Sequence, residues 1–246
     1  MIDIHPPHES VRSWKDVFIH LGIITVGLLI ALSLEQGVEK LHQFHERHQL
    51  EAGLRVEAKQ NLIIMDLDRQ YFDARTAWLL ALRQDVDTVR ASGGKIKLPL
   101  RPAPKDDGAW FPDAPVWNTA KQSATIGLLP REEAGMYNIV YNVQELMTAS
   151  WKQYSDASDR QASFENRFSG DISIYPHAAD LSRMSPEDLQ QYSVLISDTL
   201  TQLLIFRDYT GFAHKVTSAV DQGAARSDED IFRMIGARPG DTAPAH

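Results

Sequence analysis

The most apolar stretch of the chain lies near its N-terminus, at positions 17–34. It reads VFIHLGIITVGLLIALSL, eighteen residues without Asp, Glu, Lys or Arg, of which twelve are Val, Ile, Leu or Phe. At about 1.5 Å per residue such a helix is roughly 27 Å long, close to the hydrocarbon thickness of a bilayer. The pattern therefore predicts one transmembrane helix over residues 17–34.

Two other interpretations of this segment stay open. The first is a buried core helix of a soluble protein. Such a helix usually keeps a polar face, whereas this one is apolar on every side. A cleaved signal peptide is the second alternative, since Ala31-Leu32-Ser33 has small residues at the spacing of a cleavage site. However, the preceding tail lacks a positive region because it mixes both signs of charge: Asp3, Glu9, Arg12, Lys15 and Asp16. We favour a retained anchor.

Two features of the span bear on its contacts and orientation. Gly27 and Ala31 are four residues apart and form a small-xxx-small pair, which predicts close approach of another helix. His20 lies near the entry end, where a neutral imidazole at the interface is expected. Orientation stays open because basic residues flank both ends: Arg12 and Lys15 before the span, Lys40 and Arg47 after it.

Helical patterning continues after the span. Residues 35–92 contain no Gly or Pro cluster before Ser92-Gly93-Gly94, and a helical apolar stripe occurs towards their end: Phe72, Leu79, Leu82, Val86 and Val89. This predicts a stalk helix. Residues 93–117 contain five prolines and predict a long connecting loop.

Three further helix starts follow. Pro130 precedes two acids, Glu132 and Glu133, and an apolar stripe: Met136, Val140, Val143, Met147 and Tyr154. The run Ser185-Pro186-Glu187-Asp188 supplies an N-cap, a proline and first-turn acids before a second stripe: Leu189, Tyr192, Ile196, Thr199, Leu203 and Phe206. Ser227 is expected to cap a short helix, Asp228–Ile235.

These elements predict an all-α protein in which one N-terminal transmembrane helix continues into a long-helix antiparallel bundle or coiled coil. The expected organisation is a tail at 1–16, the span at 17–34, the stalk at 35–92, a bundle domain at 93–236 and a disordered tail at 237–246. The run from Val194 to Phe206 is too short for a second span and contains Asp198.

Composition and charge exclude several classes of protein. The chain has 246 residues with a formal net charge of -8, which gives no basic footprint for nucleic acid. Hydrophobic residues make up 43%, too few for a protein with many spans. There is no cysteine, which removes disulfides, thiolate metal sites and iron–sulfur clusters.

A cluster of potential metal ligands follows the span: Glu39, His42, His45, Glu46 and His48. Glu39 and His42 have the Glu-x-x-His spacing of carboxylate-bridged di-iron bundles, but such a centre needs two copies of the motif. A metal or proton site between chains of an oligomer is one interpretation. A solvated polar collar is the interpretation we favour, and no cofactor is expected.

Other chemistry is sparse. Nucleophile-elbow, phosphate-loop, dinucleotide and His-Glu-x-x-His motifs are missing from the sequence. Asp106-Asp107-Gly108 lacks the ligand spacing of an EF-hand and is interpreted as a turn. Three aromatic residues near the end of the Pro-rich segment, Trp110, Phe111 and Trp117, form a candidate ligand or partner patch.

The span sequence from Val26 to Leu32, VGLLIAL, resembles a family of uncharacterised bacterial single-span membrane proteins. The segment Trp117–Tyr141 is similar to a later part of that family, with a Trp, a small-residue turn, an acidic helix start and Tyr in the same order. The resemblance implies a cytoplasmic N-terminus and a periplasmic domain, although this tail carries both signs of charge. It implies no activity for particular residues.

The sequence thus favours a non-enzymatic, membrane-anchored helical scaffold or accessory subunit in a bacterial inner membrane. Its expected partners are the lipid bilayer and either further copies of itself or another membrane protein. The alternatives are an envelope sensor that binds a ligand near the aromatic patch and a metal-binding protein that uses the Glu/His cluster.

Overall fold

The computed structural model describes residues 14–104, 109–170, 172–223 and 225–235. Within these ranges the chain forms no strand, and its α-helices are α1 (Trp14–Ala91), α2 (Pro115–Gln122), α3 (Arg131–Glu165), α4 (Pro186–Asp221) and α5 (Asp228–Ile235). Short 3-10 turns occur at Thr125–Leu128 and Leu181–Arg183. The predicted all-α class is confirmed.

The chain divides into two compact units after Gln49. The described part of the first unit, residues 14–49, is entirely helical and begins three residues before the predicted span. It contains an 18-residue apolar window with none of its residues buried. Among the described residues, α1 is the one helix long and apolar enough to cross a membrane.

The second unit begins at Leu50, within the segment 35–92 that was predicted as a stalk. From Leu54 onwards α1 buries residues at alternating steps of four and three: Leu54, Ala58, Asn61, Met65, Asp68, Phe72, Arg75, Leu79, Leu82, Val86 and Val89. This alternation is the seam of a helix that packs against others along one side. Residues 50–91 therefore supply core residues to the bundle.

Helices α3 and α4 pack antiparallel. Arg160 on α3 pairs with Asp198 on α4 at 2.7 Å, and one turn or more further along α3 the rings of Phe164 and Tyr192 stack at 5.4 Å. From the first contact to the second the residue number rises on α3 and falls on α4, so the two helices run in opposite directions. The same holds between α1 and α4, where the Phe72 and Phe206 rings are in contact and Arg90 bonds Gln190.

Helices α1 and α3, in contrast, run parallel. Tyr141 on α3 donates a hydrogen bond to Glu57 on α1, and the hydroxyls of Tyr71 and Tyr154 lie 2.9 Å apart. From the first contact to the second the residue numbers rise on both helices, so α1 and α3 run in the same direction. Helix α4 thus runs antiparallel to α1 and α3, whereas α1 and α3 run parallel to each other.

The segment between α1 and α3 explains the parallel arrangement. It leaves the C-terminal end of α1 and returns along that helix, so that its successive residues bond progressively earlier positions on α1: Arg101 to Asp85, Trp110 to Asp68, Asp113 to Asn61 and Val116 to Glu57. The predicted loop at 93–117 ends at residue 114, because Pro115 opens α2. We call residues 95–104 and 109–114 the return segment.

The predicted starts of α3, α4 and α5 agree with the structure. Pro130 is the N-cap residue of α3, and Ser185 forms a reciprocal capping box with Asp188 at the start of α4. Ser227 accepts the backbone N–H of Asp230 at 3.2 Å. All residues of the two predicted apolar stripes are buried.

Three predictions lie outside the described residues. They concern residues 1–13 of the N-terminal tail, the turn at Asp106-Asp107-Gly108 and the disordered tail at 237–246.

Candidate functional site

The polar side chains of the apolar segment are satisfied within their own helix. Thr25 donates to the Leu21 carbonyl at 2.8 Å and Ser33 to the Leu29 carbonyl at 2.7 Å. Nδ1 of His20 lies 2.8 Å from the Asp16 carbonyl oxygen. These side chains can therefore enter a medium without water at little cost, since the penalty for burying a polar group falls when it is hydrogen-bonded.

The predicted contact pair belongs to a longer face of the first unit. Gly27, Ala31, Leu34, Val38 and Leu41 follow at steps of four and three, are all exposed and include no charge. A Cβ placed at Gly27 meets nothing within 4 Å, so this small residue is not required by packing inside the chain. The face has the spacing and residue sizes of a helix–helix contact.

The Glu/His cluster that follows the apolar segment does not converge within one chain. His42 pairs with Glu46 at 3.0 Å, while Glu39 accepts a hydrogen bond from Gln43 at 2.7 Å. The His45 ring lies 2.8 Å from the Leu41 carbonyl oxygen, and the His48 ring packs on Phe44. Across the described residues, no group of three or more potential ligands is placed to hold a metal ion. A metal or proton site that uses Glu39, His42, His45 and His48 would therefore need residues from more than one chain, and it stays a prediction.

The three predicted patch residues do not form one patch. Trp117 is 2% exposed and stacks on Tyr141 with ring centroids 4.8 Å apart. Phe111 packs edge-on against Trp151 in a different core cluster, and Trp110 is 60% exposed. Phe111 of the return segment and Trp117 of α2 are thus used for packing.

A row of buried polar residues on α1 fixes the return segment, and sequence reasoning missed it. Glu57 accepts the Val116 N–H at 2.7 Å, and Asp68 accepts the Trp110 N–H at 2.9 Å. Asn61 bonds both the N–H and the carbonyl of Asp113. Such bonds satisfy backbone groups that an irregular segment would otherwise leave buried without partners. The spacing of seven between Asn61, Asp68 and Arg75 was the available signal.

Asp68 is the member of this row with the most perturbed ionisation. Its side chain is 1% exposed, and Oδ2 has no hydrogen-bond partner among the described residues. Burial raises the pKa of Asp68 to about 6, while the bond from the Trp110 N–H acts in the opposite direction. A carboxyl of this kind is a titrating group inside the bundle.

A second buried carboxylate, Glu165, closes α3. One oxygen accepts hydrogen bonds from the Tyr192 hydroxyl at 2.6 Å and the Gln161 amide at 2.7 Å, and the other accepts the His177 N–H at 2.7 Å. Burial raises the pKa of Glu165, and these bonds oppose that rise. Glu165 thereby joins α3, α4 and the loop between them.

The neighbourhood of Glu165 has the residue types of a hydrolase triad but lacks its geometry. His177 Nε2 lies 2.8 Å from Ser169 Oγ, as in a nucleophile–base pair. His177 Nδ1, however, is 3.6 Å from the Glu165 carboxylate, beyond a hydrogen bond, and closer to the Tyr175 carbonyl oxygen at 3.2 Å. We interpret the contacts of Ser169, His177 and Glu165 as structural contacts that hold the loop between α3 and α4 in place.

The outward side of α1 in the second unit carries an uncharged row, which we call the outer seam: Val56, Gln60, Ile63, Leu67, Gln70, Ala74 and Ala77. Each member lies two positions from a buried core residue, which is about 200° around the helix. All are exposed, including Val56 at 54%, Ile63 at 62% and Leu67 at 54%. The outer seam is thus an uncharged surface on a helix whose opposite side is already packed.

Comparisons of the chain with protein-family models, with curated proteins and with solved structures find no significant match.

Proposed function

We propose that this protein is a single-span, membrane-anchored helical module of a bacterial inner membrane that acts as a scaffold or accessory subunit through helix–helix assembly. One observation carries the proposal. The helix that supplies core residues to the bundle also contains an 18-residue apolar window with no buried residue. Transfer of this window into the hydrocarbon of a bilayer is favourable, since each Leu, Ile, Phe or Val contributes roughly 0.3–0.6 kcal/mol to the free energy of insertion.

Assembly through the first unit is supported by the face from Gly27 to Leu41. Lipid tails are as apolar as the side chains of a neighbouring helix, so the hydrophobic effect does not drive helices together in a bilayer. Association there depends on close packing of small residues. Gly27 and Ala31 permit that approach. Leu34, Val38 and Leu41 extend the same face with side chains that are 66%, 69% and 57% exposed.

A matched pair of glycine substitutions tests this assembly. Gly27→Leu places a large side chain on the proposed contact face, whereas Gly22→Leu places it on another side of the same helix. A Cβ at either glycine meets nothing within 4 Å, so neither change disturbs packing inside the chain. Full-length protein is extracted from native membranes in mild detergent, and self-association and copurifying proteins are measured.

Gly27→Leu is expected to weaken association by about 1–2 kcal/mol, or roughly 5- to 30-fold, and Gly22→Leu to leave it unchanged. A wild-type protein that migrates as a lone monomer with no copurifying protein contradicts the proposed function. Equal losses in both variants contradict the assignment of the face.

We further propose that the bundle lies in the periplasm, as the family resemblance implies. Because the chain has no cysteine, Val194→Cys introduces a unique thiol at an exposed position of α4. A membrane-impermeant maleimide is expected to label it in intact cells whose outer membrane has been permeabilised. Labelling only after the inner membrane is broken contradicts this orientation.

A further inference from the structure

We infer that the outer seam is the contact surface between two copies of this chain, which pair in parallel and in register along α1. The inference rests on the proposed function, because a shared membrane anchor gives both copies the same chain direction. Four observations support it, and the first is spacing. From Val56 to Ala77 the seam advances by four and three residues, the a and d pattern of a two-stranded coiled coil.

The second observation is the distribution of charge, which favours a copy of this chain over an unrelated partner. In a parallel, in-register pair each seam residue faces its own counterpart, so any charge there would face a like charge. The seven seam positions hold no charge, although exposed neighbours on the same stretch of α1 do: Arg55, Lys59, Asp66, Arg69 and Asp73. An unrelated partner imposes no such requirement, since it can offer the opposite charge.

The third observation concerns the two polar members of the seam. A glutamine amide contains both a donor and an acceptor, so Gln60 opposite Gln60 and Gln70 opposite Gln70 can bond each other. A polar residue at a seam position also fixes register, because a shifted pair would place an amide against an apolar side chain. Ala74 and Ala77 allow the helices to come close at the far end.

The fourth observation is the moderate apolar content of the seam. Val56, Ile63 and Leu67 are its large apolar residues, and they would hold two free chains only weakly. Anchored copies meet at a much higher effective concentration than free ones. Pairing along the outer seam is therefore expected to depend on the membrane and is measured there.

A cysteine scan in native membranes tests the inference. Single cysteines replace Val56, Ile63, Gln70 and Ala77 in the full-length chain, and Asp73→Cys is the control at an exposed position beside the seam. The natural chain contributes no thiol, so every crosslink reports the introduced site. Mild oxidation is followed by quantification of the disulfide-linked dimer.

Each seam variant is expected to crosslink to itself well above Asp73→Cys. A parallel pair brings every seam position opposite its own copy, whereas an antiparallel pair does so at one point only. Equal crosslinking at seam and control positions overturns the inference, as does crosslinking confined to one seam position.

A charge substitution adds a second measurement. Ile63→Glu places a carboxylate opposite its own copy and is expected to lower the yield of disulfide-linked dimer at Val56→Cys or Gln70→Cys by about tenfold or more. Arg69→Glu, which lies off the seam, is expected to leave that yield unchanged. Unchanged crosslinking in the Ile63→Glu protein overturns the inference. Protein that is recovered in membranes without the seam pattern overturns the dimer alone. Protein that is recovered in the soluble fraction overturns the anchor and the parallel arrangement with it.

Discussion

Replacing Asp68 by Asn is a perturbation whose outcome follows from one buried carboxyl group. In the native chain one oxygen of Asp68 accepts the Trp110 N–H at 2.9 Å, while Oδ2 is buried with no hydrogen-bond partner among the described residues. The Asn amide oxygen keeps the bond to Trp110 and removes the charge. Since a buried, incompletely paired carboxylate destabilises the folded state, Asp68→Asn is expected to stabilise the bundle at neutral pH.

The pKa shift sets the size and the pH dependence of this effect. Burial raises the pKa of Asp68 from 3.8 to about 6. Each pKa unit corresponds to about 1.4 kcal/mol, so the upper limit at neutral pH is about 3 kcal/mol, and with a discount for solvent screening the expected gain is about 1–2 kcal/mol. The folded state binds the proton more tightly than the unfolded chain. The native protein therefore loses this stability as the pH rises from about 4 to about 6 and changes little above that.

Urea unfolding of the full-length chain in mild detergent, followed by tryptophan fluorescence, provides the assay. The difference between Asp68→Asn and the native protein is expected to be near zero at about pH 4 and to reach about 1–2 kcal/mol at about pH 7.5. Asp73→Asn, an exposed neighbour on α1, is the control and is expected to show no such difference. A native protein that is the more stable of the two at pH 7.5 would refute the reasoning.

The remaining predictions concern packing and helix capping, and the same urea assay measures them. Phe206→Ala is expected to lower the free energy of unfolding by about 3–5 kcal/mol, because Phe206 is 0% exposed and contacts three aromatic rings. Val194 is 57% exposed on the same helix, so Val194→Ala is expected to lower it by less than about 0.5 kcal/mol. Ser185→Ala removes the α4 capping box and is expected to cost about 1 kcal/mol. A Cβ at Gly53 would lie 3.1 Å from Val116, so Gly53→Leu is expected to destabilise by about 1–3 kcal/mol and Val116→Ala to relieve part of that cost. Strictly additive effects in this last pair would contradict the close approach of α1 and α2.

The sequence predicted the local elements well because they depend on neighbouring residues. The start of α4 is an example, since Ser185, Pro186 and Asp188 supply the whole cap within four positions. The apolar stripes of α3 and α4 were predicted for the same reason, as strong side chains recur at helical spacing. The uncharged run at 17–34 likewise marks the apolar window of α1.

The path of the return segment was not predictable in the same way. Its course along α1 depends on bonds between residues 42 to 59 positions apart, such as Trp110 to Asp68 and Val116 to Glu57. Polar residues at the core positions of α1 interrupted the apolar pattern, so residues 50–71 resembled an exposed stalk. The same bonds explain why Phe111 and Trp117 are packing residues, because they hold the return segment and the start of α2 against the bundle.

The retention of full-length protein in membranes after alkaline carbonate washing tests the proposed anchor most directly. The natural chain is expected to stay in the pellet at its full mass, and Ile24→Leu with Leu28→Ile is expected to behave alike. Ile24→Lys with Leu28→Lys adds about 2.5–3.5 kcal/mol per lysine at the centre of the span and is expected to release the protein. Natural chain in the supernatant, or a mature chain that begins after Ser33, would contradict the account.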